Sequence, residues 1–522
     1  MSDQIKFMNP RTILKSIFFV CIFAFSCNSV LMSQSKEYAP AKFTDSEREK
    51  KIAALYPLVE SLYKDYAEKN HIPGYSFGIV LDGKLVYSGA GGYIDIPNKI
   101  PATPKSMFRI ASMSKSFTAM AILKLRDEGK VKLDEPVKSY IPEMKGQQLT
   151  NDAPLITVRH LLTHAAGFPE DNPWGDRQLA VTEDDFQDFI EKGVSFSNVP
   201  GIAYEYSNMG FAMLGMIIKQ QTLSHYSDYI AKHIWKPLGM TDAAWEYSKV
   251  PANVLVKGYR WLNDGYVEQP MLHDGIYGAM GGMIVSIESF AKYVALHEQA
   301  WPARNDAEDG IIKRSSLREM HQPWRLSGLN ANYKYPSGRP SPLATAYAYG
   351  LRWSRDGEGR ETVGHTGGLP GFGSNWQILP EYGIGVMFFA NATYAPTSLA
   401  NTMVLDTLVR LSGLEARQLP ASKVLTQRRD QLVKLLPDFN AAQKSGIFAM
   451  NFFMDYFVEK MQVEARGIFE KAGKVVSVGE VVPENQLRGY FDIKTENGTV
   501  RVSFTLSPEK DPLIQEYHIN LR

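Results

Sequence analysis

Between residues 46 and 70, Ile52, Leu55, Leu58, Val59, Leu62 and Tyr66 recur at helical spacing among charged residues, and Pro73-Gly74 ends the run. Two β-rich runs follow, Tyr75–Leu81 and Lys84–Ser88, joined by Asp82-Gly83, which predicts a hairpin. From Ser112 to Phe290 the spacing is mostly helical, broken by turns such as Pro200-Gly201 and Pro237-Leu238-Gly239. One helix there, predicted from Ser112 to Glu128 with Gly129 as its stop, carries Phe117, Met120, Ala121, Ile122, Leu123 and Leu125 around most of its circumference. Such a helix belongs in the interior. Beyond Ala346 the pattern turns to strands at Tyr347–Trp353, Ser374–Leu379 and Gly383–Phe389, and a helix is predicted over Thr397–Leu411.

Strands at both ends thus flank a helical middle. The simplest packing is an antiparallel sheet flanked by helices, with the helical region inserted beside it as a subdomain: an α/β fold of the α+β type, spanning about 45–413. Residues 414–438 are polar and basic with Pro420, and read as a linker. Residues 439–522 predict a helix from Ala441 to Glu470. Alternating strands follow at Val475–Val482, Gly489–Thr495, Val500–Leu506 and Leu513–Ile519. This is a small accessory α+β domain.

A length of 522 residues supports such a division, since a single core rarely grows that large. The net charge of +1, without a dense Lys/Arg run, argues against nucleic acid as a partner. The expected partner is a small-molecule or peptide substrate. Both cysteines, Cys21 and Cys27, lie in the first 35 residues, where Lys6, Arg11 and Lys15 precede the apolar run Ile17–Phe25. That run is too short to span a bilayer and fits a signal segment. Ala24-Phe25-Ser26-Cys27 is an imperfect bacterial lipoprotein box, and the small residues Ser33 and Ser35 offer ordinary cleavage instead. The expectation is an exported protein, either periplasmic or attached to the membrane through a lipid on Cys27.

Three elements carry the candidate chemistry. Ser112-Met113-Ser114-Lys115 places a lysine one turn from a serine at a helix start, where free N–H groups favour an oxyanion. A lysine in a dry pocket has a lowered pKa and accepts a serine proton. Tyr206-Ser207-Asn208 enters another apolar helix; the phenol relays protons where cations lower its pKa, and the amide bonds both a substrate and a lysine. His365-Thr366-Gly367-Gly368 stands on a strand among glycines, which let a substrate backbone pair with a strand edge. The Gly368 N–H is placed to complete an oxyanion hole with that of Ser112. Ser-x-x-Lys also begins at Ser33, Ser61, Ser289 and Ser507, so order and flanks carry the case.

With Phe108-Arg109-Ile110-Ala111 before the serine, Leu161-Leu162-Thr163-His164-Ala165-Ala166-Gly167, Pro237-Leu238-Gly239-Met240 and Gly281-Gly282-Met283, the chain from about Asp45 to Gly413 resembles the serine β-lactamase and penicillin-binding-protein superfamily. The similar branch is that of class C β-lactamases, D,D-carboxypeptidases, D-aminopeptidases and related esterases. The resemblance implies Ser112 as nucleophile and Lys115 and Tyr206 as proton carriers. It implies Asn208, His365, Thr366 and Gly367 as substrate-binding residues, with Ser112 and Gly368 forming the oxyanion hole. Class C enzymes usually carry lysine where this chain has His365. That departure favours a peptidase, aminopeptidase or esterase acting through an acyl-enzyme. A penicillin-binding protein with little turnover and a true class C-like β-lactamase remain as alternatives.

Other chemistries lack their signatures. There is no Gly-x-Ser-x-Gly elbow. His160-Leu-Leu-Thr-His164 lacks the glutamate of a zinc protease, and Gly368-Leu-Pro-Gly371-Phe-Gly373 opens no helix. Neither a metal nor a cofactor is expected.

Overall fold

The computed structural model describes residues 38–308 and 310–522, so the leader, with Cys27, Ser33 and Ser35, lies outside the described residues. Two compact units divide the chain, one of residues 43–303 and 307–417, the other of residues 418–522 with 38–42 and 304–306.

The larger unit is built on nine strands: β1 (Gly74–Leu81), β2 (Lys84–Asp95), β3 (Ile100–Pro101), β4 (Arg325–Asn330), β5 (Leu343–Tyr347), β6 (Arg352–Asp356), β7 (Glu361–Leu369), β8 (Phe372–Leu379) and β9 (Ile384–Ala390). Their spatial order is β3-β2-β1-β9-β8-β7-β6-β5-β4, antiparallel throughout, with N-terminal β1 paired to β9 so that Phe77 faces Phe388. The helices that frame it are α1 (Tyr56–Lys69), α2 (Ser114–Asp127), α3 (Asn208–Thr222), α4 (Ile287–Gln299) and α5 (Thr397–Ser412).

Pleating sorts the side chains of β9 into two cores. Met387 and Phe389 join Val80, Trp376 and the α4 residues Phe290 and Val294. Val386 and Phe388 join Phe77, Ile79, Val59 and Tyr63 of α1, and Val404 and Leu408 of α5. Covered on both faces, β9 is apolar without interruption instead of alternating. The inserted helical region packs α2 and α3 with the short helix Gly278–Gly281, through Phe117, Met120, Phe211, Leu214 and Met280.

Three sequence expectations are corrected. Tyr347–Trp353 is not one strand: Ala348–Leu351 turns the chain between β5 and β6. Gly350 takes φ +63° there, and any side chain on it would come within 2.8 Å of the Lys115 carbonyl. Most of the expected linker, 414–438, is the helix Lys423–Leu435, capped by Ser422, with Leu425 and Leu432 buried. Its apolar stripe is narrow and the rest of its surface is polar, which mimics a linker. Ala441–Glu470 is broken into Phe452–Asp455 and Val458–Ala472. Ahead of them the backbone at 447–449 is drawn into pairing with a strand: Ile514 N–H donates to the Ile447 carbonyl at 2.8 Å, and Ala449 N–H to the Ile514 carbonyl at 2.9 Å. That strand, Ile514–Leu521, closes an antiparallel sheet with Gly498–Leu506, Arg488–Thr495 and Val475–Val478.

Candidate active site

Ser112 sits in a tight turn, Ala111–Met113, that runs into α2. Ala111 is held at φ +51°, an uncommon conformation for a residue with a side chain, of the kind that clusters at functional turns. Several bonds hold it. Ser114 Oγ donates to the Ala111 carbonyl at 2.7 Å, Ser374 Oγ donates to the Ile110 carbonyl at 2.7 Å, and Ile110 N–H donates to Met283 O at 2.9 Å.

Lys115, 0% exposed, reaches back from the first turn of α2 to lie with Nζ 3.0 Å from Ser112 Oγ. The same nitrogen lies 2.7 Å from Asn208 Oδ1 and 3.0 Å from the Met280 carbonyl. These two oxygens only accept. A neutral amine gives them its two hydrogens, and its lone pair then faces Ser112 Oγ. Burial drives the Lys115 pKa down to about 7, against the pull of the Asp176 and Asp171 carboxylates and with the Arg352 charge adding to the fall.

Tyr206 is buried over the same centre, its ring centroid 4.8 Å from Lys115 Nζ. Burial pushes its phenol well above the ordinary range, although a hydrogen bond to Ser112 and the Arg352 charge pull the other way. The expectation of a lowered phenol pKa is therefore corrected: desolvation outweighs the cations, and the resting phenol holds its proton. The ring is fixed by His164, whose imidazole packs 4.2 Å from it and whose Nδ1 accepts Ser207 N–H at 3.1 Å. His160 Nδ1 accepts Thr157 N–H at 3.2 Å and closes a helix cap, so neither histidine of the His-x-x-x-His pair is arranged for metal. Among the described residues no cluster of histidine, cysteine or carboxylate side chains could hold a metal ion.

Strand β7 brings the third element beside the serine. Its neighbour β6 pairs with it only as far as Gly364, opposite Arg352, so from His365 to Leu369 this edge carries no strand partner among the described residues, while the other edge is paired to β8. Gly367 lies against the nucleophile turn so closely that a Cβ would stand 2.2 Å from the Ile110 carbonyl. The free edge with Thr366 and Gly368 therefore borders Ser112. Thr366 is steadied from the sheet's other face: Asn375 Nδ2 donates to its Oγ1 at 3.0 Å, Asn401 Nδ2 donates to Asn375 Oδ1 at 2.8 Å, and Tyr63 donates to Asn401 Oδ1 at 2.7 Å.

His365 is buried with both ring nitrogens engaged, Nδ1 at 2.7 Å from the Thr366 carbonyl and Nε2 at 2.9 Å from the Tyr347 hydroxyl. The carbonyl fixes hydrogen on Nδ1, so Nε2 accepts from the phenol. Burial and the charges of Arg352 and Lys115 hold its pKa well below the usual histidine range. The imidazole is neutral and offers no free nitrogen.

The cation at this site is a residue that sequence reasoning missed. Arg352, exposed at the start of β6, holds its guanidinium carbon 5.7 Å from the Tyr206 ring centroid, and its charge also acts on Tyr204. Arg352 and Thr366 also line a groove of about 510 Å³, but Ser112, Lys115, Tyr206 and Asn208 do not, so that groove is distinct from the catalytic centre. Only the turn at Ala348–Leu351 brings Arg352 here, and the sequence pattern concealed that turn. Asp171 and Asn172, also unforeseen, hold Asn208 from the opposite side: the Asp171 carboxylate accepts the Asn208 and Met209 N–H groups at 2.6 and 2.8 Å, and Asn172 Oδ1 accepts Asn208 Nδ2 at 2.6 Å.

Comparison with known proteins bears on the family and the fold. The family described as Beta-lactamase matches residues 59–409. "Protein flp" of Staphylococcus aureus (strain NCTC 8325 / PS 47) is 28% identical over 387 residues, covering 72% of this chain and 70% of that one. "Unguisins hydrolase ungD'" of Aspergillus campestris (strain IBT 28561) is 27% identical over 359 residues, 65% of this chain and 62% of that one. Among solved structures, the octameric penicillin-binding protein homologue from Pyrococcus abyssi superposes with a TM-score of 0.57 at 23% identity, covering 89% of this chain and 95% of that one. EstCE1, a hydrolase with promiscuous acyltransferase activity, gives 0.55 at 17% identity, over 69% of this chain and 100% of that one. At these identities the superpositions speak for the fold.

Proposed function

Because the chain belongs to the Beta-lactamase family, we propose that it is a serine hydrolase that cleaves a peptide, amide or ester through an acyl-enzyme on Ser112. One observation carries the reading: a wholly buried Lys115 whose Nζ lies 3.0 Å from Ser112 Oγ. Neutral Lys115 takes the hydroxyl proton as Oγ attacks the substrate carbonyl carbon. The developing oxyanion is held by the Ser112 and Gly368 N–H groups. As the tetrahedral intermediate collapses, the Tyr206 phenol protonates the departing amine or alcohol and recovers a proton from the Lys115 ammonium. Water then attacks the acyl-enzyme, its proton passing back through the same pair to Ser112.

On the substrate side, Asn208 and the free edge of β7 hold the backbone, as an added strand is held. Arg352 beside Tyr206 supports a substrate that carries a carboxylate near the scissile bond, since a guanidinium pairs with carboxylates. This changes the expectation drawn from His365 alone. On this reading Arg352, on β6, takes the part of the cation that class C enzymes carry at that position. A peptide of the D,D-peptidase or D-aminopeptidase kind with a free carboxylate fits better than an uncharged ester.

The test is activity profiling of purified protein against D-Ala-D-Ala peptides, D-amino-acid amides, short-chain esters and a chromogenic cephalosporin. The proposal expects turnover to favour carboxylate-bearing peptides over their amidated forms. A kcat/KM for the cephalosporin of about 10⁷ M⁻¹s⁻¹ or more would identify a true β-lactamase instead. Covalent labelling without turnover would identify a penicillin-binding protein.

Export belongs to the same proposal. It rests on the apolar run Ile17–Phe25 after Lys6, Arg11 and Lys15. N-terminal sequencing should find the mature protein beginning at a lipid-modified Cys27 or near Lys36, and a retained Ile17–Phe25 in the cytoplasm would contradict it.

A further inference from the structure

Asn208 has an amide that must point one way to serve Lys115. With Oδ1 towards Nζ, at 2.7 Å, it accepts one amine hydrogen and leaves the lone pair for Ser112. Rotated by a half turn, it would present Nδ2 hydrogens to the amine, and the lone pair would be drawn to them and away from the nucleophile. Nothing in Asn208 itself decides between the two.

The deciding contact lies in a loop of the helical region, between α2 and α3. Asn172 Oδ1 lies 2.6 Å from Asn208 Nδ2, so a carbonyl oxygen faces the hydrogens, and a rotated Asn208 would set oxygen against oxygen. That assignment is internally consistent, since Lys115 demands an acceptor on the other side. The loop is itself pinned to Asn208. The Asp171 carboxylate accepts Asn208 N–H at 2.6 Å and Met209 N–H at 2.8 Å, at the N-terminus of the 15-residue helix α3, where a carboxylate is favoured. Gly175 closes over the amide, and a Cβ there would stand 3.0 Å from its atoms.

We infer that Asn172 is a positioning residue of the catalytic centre, which acts through Asn208 to hold the lone pair of Lys115 on Ser112, with Asp171 anchoring the loop that carries it. The inference rests on the acyl-enzyme reading of Ser112 and Lys115. It assigns work to a segment outside the sequence motifs.

The consequences have opposite signs for two substitutions. The charged groups around Lys115 are Asp171 and Asp176 on the loop side and Arg352 on β6, while Tyr206, His164 and His365 present uncharged rings. Asn172→Ala frees the amide. It withdraws an acceptor from the ammonium form, so the Lys115 pKa falls. Asn172→Asp keeps an acceptor for Nδ2 and adds a negative charge, so that pKa rises.

The experiment measures the rate of Ser112 modification by a fluorophosphonate from pH 5 to 9, by intact mass, on the full chain. Asn172→Ala should lower the plateau rate at least about 10-fold and move the acidic limb down by about one pH unit, the scale of one hydrogen bond to a charged group. Asn172→Asp should keep the plateau within about threefold and move the limb up. A limb that stays put in both variants overturns the inference, whatever happens to melting temperature, because a merely structural contact would change Tm alone. Should Asn172→Ala not fold, the upward shift in Asn172→Asp decides. Absence of labelling in the wild type removes the acyl-enzyme reading itself, whereas wild-type labelling with unmoved variants removes only the role of Asn172.

Discussion

Lys115 Nζ stands 3.0 Å from Ser112 Oγ with no solvent contact, and two fixed acceptors, Asn208 Oδ1 and the Met280 carbonyl, occupy its hydrogens. Base strength and base direction are thus set together. Burial supplies the first and geometry the second.

The pH dependence follows directly. With Lys115 brought down to about 7, the acidic limb of kcat/KM should fall near that value, activity dropping as pH falls because the ammonium cannot accept a proton. Lys115→Met should lower kcat by about 100-fold or more and erase the limb. A limb below pH 5 in the wild type would assign the base elsewhere.

Tyr206 holds its proton at rest, so its replacement should discriminate by leaving group. Tyr206→Phe should slow peptide and amide hydrolysis by about 100-fold, since an amine must be protonated to leave. An activated aryl ester, whose leaving group departs as an anion, should lose less than about 10-fold. Equal losses on both substrates would make the phenol part of the attack step.

Arg352→Gln should raise KM for a carboxylate-bearing peptide by about 10-fold or more and leave its amidated form nearly unchanged, as loss of a charge-assisted pair implies. The same change removes a positive charge that depresses Lys115, so the acidic limb should move to higher pH. A KM that ignores the substrate carboxylate would return the site to uncharged esters.

Away from the site, Glu298 is buried, with Oε2 accepting Gly83 N–H at 2.9 Å and Oε1 without a partner among the described residues. Burial raises its pKa to about 8. Between the ordinary carboxylate range and pH 8 the unfolded chain ionises while the folded chain stays protonated, so stability falls as pH rises through that window. Glu298→Gln should remove that fall: thermal melts should show a Tm advantage that grows from pH 5 to pH 8. A variant less stable than wild type at every pH would contradict the assignment.

Much of the fold was legible because its signals are local. Asp82-Gly83 between two β-rich runs gives the β1–β2 turn, and the apolar circumference after Ser112 gives a buried α2. The proximity of Ser112, Lys115, Tyr206, Asn208 and Thr366 to Gly368 was legible only through the combined motifs, since helical spacing accounts for just the first two. What escaped was long-range or disguised. Arg352 looks like one more residue of an apolar strand until the turn at Gly350 reverses the chain. Asn172 and Asp171 sit in a loop with no periodicity, and their meaning lies in Asn208, far along the chain. Neutral His365 depends on burial and on the charges of Arg352 and Lys115, and the raised phenol of Tyr206 on burial, none of which a motif encodes. The helix Lys423–Leu435 was hidden by its own polar surface.

The central claim is that Ser112 is the nucleophile. Intact-mass analysis after exposure to a fluorophosphonate, followed by peptide mapping, tests it most directly. The account predicts one adduct per chain, on Ser112, absent from Ser112→Ala, a variant that should fold as the wild type does. An adduct that persists in Ser112→Ala, or maps to another serine, would contradict it.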